Sequence, residues 1–316
     1  MAVWVGFLAK SISFFIYHSP LVIQKVLGGM LGVLWFDILR IRRGLVLNNI
    51  QTAFPNMTKK DRVRLGRKSC SNLGRVIVEY SYFPFFSKKD LGRFRFEGLE
   101  HVDTAKKKGR GVCLLTLHMG SPELAPSALA QSGYPIHLIT KEIKTKWLND
   151  AWFAARRRAG TKLIGARKSA GVILKALKAN DLVVFVLDQF MGPPLGVKVK
   201  FFNKTMGGAL GLSVIVSRTK APVVPVYTYR DQDDIIVIRF EPEIVWEEKN
   251  SKDATLAFMT QKFISKLEEV IQICPEQWMW VHKIWKDYEY KGRCLHLKDR
   301  WEPVLKELGF KEDSEI

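Results

Sequence analysis

The sequence predicts an α/β fold, and two kinds of segment support this prediction. Residues 112–117 and 182–187 are short, almost wholly apolar runs, which are typical of buried strands. Residues 255–274 instead place apolar side chains at helical spacing, and Pro275 ends that amphipathic helix. At 316 residues the chain is long enough for one large α/β domain, or two small ones, with a sizeable core.

The N-terminal segment is strongly apolar and differs from the rest of the chain. Lys10, Lys25 and Asp37 interrupt it, so no stretch reaches the roughly 18 uncharged residues typical of a spanning helix. Its aromatic side chains, and the arginines that follow it, are typical of a segment lying at the cytoplasmic face of a membrane. We therefore predict a membrane-associated helical segment over residues 1–39 and a second domain over residues 40–316. A pair of core helices is the alternative.

The charge of the chain predicts an anionic partner. Lysines and arginines number 50 against 31 acidic residues, which gives a net charge of +19. Nucleic acid, an anionic membrane, an acidic carrier protein and a phosphorylated substrate all fit this charge. The absence of a nucleic-acid motif and the spread of the basic residues disfavour nucleic acid. The four cysteines have no short pair spacing, so we expect neither a zinc site nor a disulfide framework, and a reducing compartment.

A histidine lies at the end of the first buried strand. His118 follows residues 112–117, and Ser121-Pro122 predicts a helix N-cap and first helical position, with Glu123 in the first turn. Ligands of open α/β sheets bind outside the carboxyl ends of the strands. We therefore expect His118 and Glu123 to meet there, with the carboxylate orienting the imidazole as a base. A structural, hydrogen-bonded histidine is the alternative.

Further charged residues lie at the ends of two later elements. Asp188-Gln189 follows the buried run 182–187, and an acid at this position needs a hydrogen bond or an opposite charge. Arg156, Arg157 and Arg158 end a predicted helix over residues 146–158. We expect Asp188 to pair with one of these arginines. A solvated face is the alternative for the arginine run.

Together these motifs resemble one branch of the glycerolipid-type acyltransferases, the bacterial lipid A late acyltransferases (lauroyl and myristoyl acyltransferases). The specific elements are His118 with Glu123, Asp188-Gln189, and a closing segment that contains Trp278 and His282. The resemblance covers roughly residues 40–288. It implies a mixed α/β sheet covered by helices, like that of the glycerolipid acyltransferases.

The resemblance also implies an activity. This is transfer of a fatty acyl group from acyl carrier protein to a hydroxyl of a lipid A precursor, at the inner membrane with the active site facing the cytoplasm. It implies catalytic roles for His118, as general base, and Glu123, with no cofactor or metal. It implies substrate or oxyanion contacts at the following residues: Arg156, Arg157, Arg158, Asp188 and Gln189.

One departure from the family pattern keeps other functions open. Ser121-Pro122 stands where the family usually has Asn-Trp, which leaves the base in place but changes the acceptor side of the turn. An acyltransferase for another glycolipid or aminolipid is therefore one alternative. A non-enzymatic basic protein that binds a membrane or nucleic acid is the other.

Overall fold

The structure is a computed structural model that describes residues 2–166, 169–202 and 204–310, with side chains from residue 10 onward. Residues 1 and 311–316, at the outer ends of the two predicted regions, lie outside the described part. The α-helices are α1 (Ala2–His18), α2 (Leu21–Val33), α3 (Arg43–Ala53), α4 (Lys59–Glu79), α5 (Leu99–Lys106), α6 (Leu124–Gln131), α7 (Lys146–Arg158), α8 (Ala170–Lys178), α9 (Gly211–Thr219), α10 (Lys252–Ile273) and α11 (His296–Glu307). The strands are β1 (Phe94–Glu97), β2 (Val112–Thr116), β3 (Ile136–Thr140), β4 (Lys162–Gly165), β5 (Leu182–Val186), β6 (Gly196–Phe201), β7 (Lys204–Ala209), β8 (Val223–Arg230) and β9 (Ile236–Phe240).

The predicted α/β fold with a mixed sheet is confirmed. Seven strands form one sheet in the order β1-β9-β8-β2-β5-β3-β4. All neighbours pair in parallel except β8 and β9, which are antiparallel. The central strands β2 and β5 are the two apolar runs predicted as buried strands, and they lie side by side.

Each face of the sheet has its own core. Along β2, Cys113 and Leu115 belong to one buried cluster, whereas Val112 and Leu114 belong to the other. This alternation follows from the pleat of a strand, which points successive side chains to opposite faces. Because helices cover both faces, β2 is apolar on both sides, as expected of a buried parallel strand.

Two segments fold differently from what their local composition favours. Residues 206–209 are rich in glycine, which favours a loop, but they lie in β7, which pairs antiparallel with β6 in a separate hairpin. Residues 298–307 are highly charged, but they lie in α11, where Trp301 and Leu305 are buried in the core. In both places tertiary packing overrides a weak local pattern.

The apolar N-terminal segment forms α1 and α2, and one turn of π-helix follows α2. Residues 21–38 are long and apolar enough to cross a membrane by length and composition, and 22% of them are buried. One side of α2 exposes large apolar side chains, with Val22 at 70% and Met30 at 62% exposure. Its other side packs against α4 through glycines.

The contact between α2 and α4 is a contact between backbones. A Cβ atom on Gly32 would lie 2.4 Å from Ser71 Cα, and one on Gly74 would lie 2.1 Å from the Gly28 carbonyl oxygen. Only glycine permits two helices to approach this closely at these positions. The helix α2 is therefore docked on the domain, and its exposed apolar side faces away from α4.

We expect Gly32→Ala to destabilise this docking by about 1–3 kcal/mol, the range for overpacking a rigid contact. Gly29→Ala is the matched control, because the nearest atom to its Cβ would be Ser71 Oγ at 3.8 Å. That control gains helix propensity and should be neutral or slightly stabilising. Thermal unfolding in detergent measures both variants, and equal unfolding temperatures for the two would contradict the close contact.

Candidate active site

The register of the central strands places His118 beside Asp188. In the parallel pair β2 and β5, Thr116 lies opposite Val186. Each strand then continues for two residues, so His118 and Asp188 leave the sheet at the same level of its carboxyl edge. This is the edge at which open α/β sheets bind their ligands.

Asp188 holds both the ring and the backbone of His118. Its Oδ1 lies 2.8 Å from His118 Nδ1, and its Oδ2 accepts a hydrogen bond of 2.8 Å from the His118 backbone N–H. The Trp278 indole N–H donates a further hydrogen bond of 2.8 Å to Oδ2. Because the carboxylate occupies Nδ1, Nε2 is the ring nitrogen left to meet a substrate.

His118 and Asp188 each shift the pKa of the other. Burial alone would raise the pKa of Asp188, but the charge and hydrogen bond of His118 outweigh it and lower that pKa to about 2. Burial alone would lower the pKa of His118, but the charge and hydrogen bond of Asp188 outweigh it and raise that pKa above 6.5. Glu123 raises it further through its charge. Asp188 is thus ionised, and it stabilises a proton on His118.

The expected pair between Asp188 and the arginine run is not formed. Asp188 is fully buried, and its partners are His118 and Trp278. The reason is strand order, since β5 lies directly beside β2 and the end of β2 reaches the carboxylate first. The arginines lie at the end of α7, where Arg156 pairs with Glu123 instead.

Glu123 pairs with Arg156 and does not hydrogen-bond to His118. Arg156 Nη2 donates a hydrogen bond of 2.6 Å to Glu123 Oε2, and Arg156 Nη1 donates one of 2.8 Å to Thr140 Oγ1 at the end of β3. The guanidinium also lies over the Trp152 ring, 4.7 Å from its centroid. The expectation that Glu123 orients the imidazole is wrong in its geometry, because Asp188 holds Nδ1.

The helix after the turn begins later than predicted. Ser121 does not cap it, since α6 begins at Leu124 and Glu123 is its N-cap residue. The Ser121 hydroxyl instead donates a hydrogen bond of 2.6 Å to Glu79 Oε2, and the Glu79 carboxylate also pairs with Arg230 at 2.7 Å. The Ser121 side chain, which the local sequence predicts as a helix cap, therefore bonds the buried ion pair of Glu79 and Arg230 instead.

A cavity of about 470 Å³ opens at this turn, and we call it the catalytic cavity. His118, Glu123, Arg156 and Gln189 line it at the carboxyl edge of the sheet. Its apolar wall extends along one face of the sheet and the underside of α6, formed by Leu114, Leu129, Ile136, Leu138, Val184, Val226 and Ile238. The cavity therefore joins an apolar channel to a polar, charged mouth.

The structure separates the three predicted arginines. Arg156 is buried and lines the catalytic cavity. Arg157 and Arg158 are exposed on α7, with Arg157 over the Phe153 ring and Arg158 donating to the Pro84 carbonyl oxygen. Only Arg156 is placed to contact a molecule in the cavity.

The sequence identified Trp278 and His282 as elements of the resemblance but did not place them beside His118. Trp278 and His282 both lie in the segment after α10, and the His282 ring centroid is 5.0 Å from that of His118. Burial, followed by the charge of His118, lowers the pKa of His282, which keeps that ring neutral. The closing Trp and His motif was visible in the sequence, but nothing local shows that it packs against the strand end.

The pair of Glu123 and Arg156 gives a direct test of this geometry. Glu123→Gln should lower the free energy of unfolding by about 3 kcal/mol, because it leaves the buried Arg156 guanidinium without its partner. Arg156→Gln should cost less, because the Glu123 side chain is 21% exposed and water can solvate its carboxylate. The double variant should lose less than the sum of the two. The control is Arg157→Gln, which is exposed and should stay within about 0.5 kcal/mol of the parent. Denaturant unfolding in detergent measures all four, and strictly additive losses would contradict the pair.

The chain is similar to known proteins over most of its length. A family model described as bacterial lipid A biosynthesis acyltransferase matches residues 1–287. The lipid A biosynthesis lauroyltransferase of Escherichia coli is 24% identical over 289 residues, covering 90% of this chain and 92% of that protein. The lipid A biosynthesis acyltransferase of Haemophilus influenzae is 22% identical over 280 residues, covering 88% and 86%.

A further relative differs in the acyl group that its name states. The lipid A biosynthesis palmitoleoyltransferase of Escherichia coli is 22% identical over 286 residues, covering 90% of this chain and 91% of that protein. The resemblance drawn from the His118, Asp188 and Trp278 motifs is thereby confirmed, and the non-enzymatic alternative is set aside. The chain belongs to the bacterial lipid A biosynthesis acyltransferase family and is an acyltransferase of lipid A biosynthesis.

Proposed function

We propose that this enzyme transfers a fatty acyl group from acyl carrier protein to a hydroxyl of a lipid A precursor, with His118 as the general base. The observation that supports the base is the contact of 2.8 Å between His118 Nδ1 and the buried Asp188 carboxylate. A carboxylate on one ring nitrogen fixes the tautomer that leaves the lone pair on the other. His118 also lines the catalytic cavity, where a substrate binds.

The transfer proceeds by one attack and one collapse. His118 Nε2 takes the proton of the acceptor hydroxyl while the hydroxyl oxygen attacks the thioester carbonyl carbon. Asp188 stabilises the imidazolium that forms. The tetrahedral intermediate then expels the carrier thiolate, which receives the proton back from His118. An ester and a free carrier thiol are the products, so protons and electron pairs balance.

Arg156 supplies positive charge at the mouth of the catalytic cavity. Its side chain is 8% exposed and held by Glu123 and Thr140, so the guanidinium is fixed before a substrate arrives. A fixed, poorly solvated donor stabilises an anion more strongly than a mobile surface lysine does. We propose that the Arg156 guanidinium stabilises the negative charge on the tetrahedral oxygen or on a phosphate of the acceptor.

The apolar part of the catalytic cavity fits the fatty acyl chain. Both ends of β3, Ile136 and Thr140, line it, which corresponds to roughly 13 Å along the strand at about 3.3 Å per residue. An alkyl chain there would leave its thioester near His118. This supports a donor whose acyl chain lies in the catalytic cavity along the face of the sheet, with its thioester near His118.

The remaining partners follow from charge and surface. The net charge of +19 suits an acidic carrier protein, an anionic glycolipid acceptor and an anionic membrane surface. The exposed apolar side of α2 supports association with the inner membrane, with the catalytic cavity on the cytoplasmic side. Because the glycine side of α2 packs on α4, we propose that α2 lies in the membrane surface and does not cross the bilayer.

A reconstituted assay tests this function. Purified enzyme, acyl carrier protein carrying a labelled acyl group, and a lipid A precursor should give an acylated glycolipid, identified by mass spectrometry. His118→Ala should lower turnover by roughly 10²–10⁴-fold, the usual contribution of a general base. The matched control is His296→Ala, an exposed histidine at the start of α11. Near-normal turnover in a folded His118→Ala variant would rule out the base, and no acyl transfer by the parent would rule out the donor or the acceptor.

A further inference from the structure

A second cavity lies between the start of α2 and the domain, and we call it the α2 cavity. Its volume is about 110 Å³, and Gln24, Lys25, Arg93 and Arg230 are among its lining residues. None of the described residues that line it also lines the catalytic cavity. It is therefore a separate space.

Three side chains that line the α2 cavity carry buried polar atoms without a hydrogen-bond partner in the described part of the chain. These atoms are Gln24 Oε1, Arg93 Nη1 and Arg230 Nε; Arg230 Nη2 also lacks a hydrogen bond of good geometry, but it is ion-paired with Glu79 at 2.7 Å. Gln24 is 4% exposed and Arg230 is 6% exposed, so bulk water does not replace the missing partners. Buried polar atoms are nearly always hydrogen-bonded in folded proteins. Two donors and one acceptor around one small space thus indicate a ligand with both acceptor oxygens and a donor group.

The charges around the α2 cavity do not cancel. The cationic residues that line it are Lys25, Arg75, Arg93 and Arg230, and the acidic ones are Glu79, Asp233 and Asp234. Two arginines are already paired, Arg230 with Glu79 at 2.7 Å and Arg75 with Asp234 at 2.5 Å. Arg93 lies over the Tyr82 ring at 4.6 Å and forms no ion pair with any described residue. The lining thus has one positive charge in excess, which matches a ligand of charge −1.

The position of the α2 cavity identifies the class of ligand. Leu21 and Lys25 belong both to the lining and to the apolar helix α2, where Leu21 is 51% exposed. A ligand whose anionic group occupies the cavity would have its remaining part against the exposed apolar side of α2. That arrangement suits a phospholipid, because its phosphate lies next to its acyl chains.

We propose that the α2 cavity binds the headgroup of an anionic membrane phospholipid of the phosphatidylglycerol type. The phosphodiester accepts hydrogen bonds from Arg93 and Arg230 and supplies the single negative charge. A hydroxyl of the headgroup donates to Gln24 Oε1. A zwitterionic headgroup carries the same phosphate together with a cation, so it has no net negative charge to balance Arg93. The bound lipid fixes the start of α2 at the membrane surface.

Binding of a short-chain phosphatidylglycerol to the full-length enzyme in nonionic detergent tests this proposal. Short-chain phosphatidylcholine and inorganic phosphate are the comparison ligands, and calorimetry gives the dissociation constants. We expect phosphatidylglycerol to bind more tightly than either. Arg93→Gln should weaken it by about tenfold or more, since it removes a charge-assisted hydrogen bond.

Two further variants make the result specific. Arg95→Gln is the matched control, because Arg95 carries the same charge nearby but pairs with Glu97 and Asp231 outside the lining. It should bind like the parent. Gly92→Leu should weaken binding by placing a bulky side chain at the lining of the cavity, where an added Cβ meets no atom within 4 Å.

Three results would overturn the proposal. Equal affinity for phosphatidylglycerol and phosphatidylcholine would show that the α2 cavity does not recognise the net negative charge of the headgroup. Phosphate binding as tightly as the lipid would make the cavity a site for free phosphate. Equal weakening in the Arg93→Gln and Arg95→Gln variants would reduce the effect to general surface charge. Because the assay contains no acyl donor, its outcome is independent of the proposed acyl transfer.

Discussion

The buried carboxylate of Asp188 is the group on which the rest of the site depends. A carboxylate with no exposed surface is stable in a fold only when hydrogen bonds and positive charge replace the lost water. The Asp188 carboxylate accepts a hydrogen bond from the His118 backbone N–H, contacts the His118 ring, and accepts another hydrogen bond from the Trp278 indole N–H. These contacts join three distant parts of the chain: the end of β2, the end of β5 and the segment after α10. The requirement to solvate one anion therefore fixes the position of the base.

The backbone around His118 is held as firmly as its ring. Gly120 has φ +62°, and a Cβ there would lie 2.3 Å from the Thr228 carbonyl oxygen, so this turn needs glycine. Thr228 Oγ1 donates to the Met119 carbonyl oxygen and accepts from the Ser121 N–H. On the other side, Met279 N–H donates to the His118 carbonyl oxygen. Strand β8 and the closing segment thus clamp the turn from both sides, and the imidazole has little freedom to rotate away.

Much of this arrangement could be predicted from local sequence. The apolar runs that became β2 and β5, and the polar residues that end them, mark both His118 and Asp188 as residues at the carboxyl edge of a sheet. Their pairing could not be predicted, because it depends on β5 lying directly beside β2, and strand order is not a local property. The same limit applies to the arginines, where helix orientation selects Arg156. It applies also to Ser121, whose hydroxyl donates a hydrogen bond to Glu79 and does not cap a helix.

The pH dependence of kcat/KM for acyl transfer, compared between the parent enzyme and Asp188→Asn, tests the central claim most directly. A base must be neutral to act, and kcat/KM reports the pKa of the free enzyme. Because Asp188 raises the pKa of His118, the parent rate should rise with pH through a midpoint above 6.5. Asp188→Asn keeps the shape and removes the charge, so the midpoint should move to lower pH and the plateau should fall. An unchanged midpoint in the variant would contradict the control of His118 by Asp188.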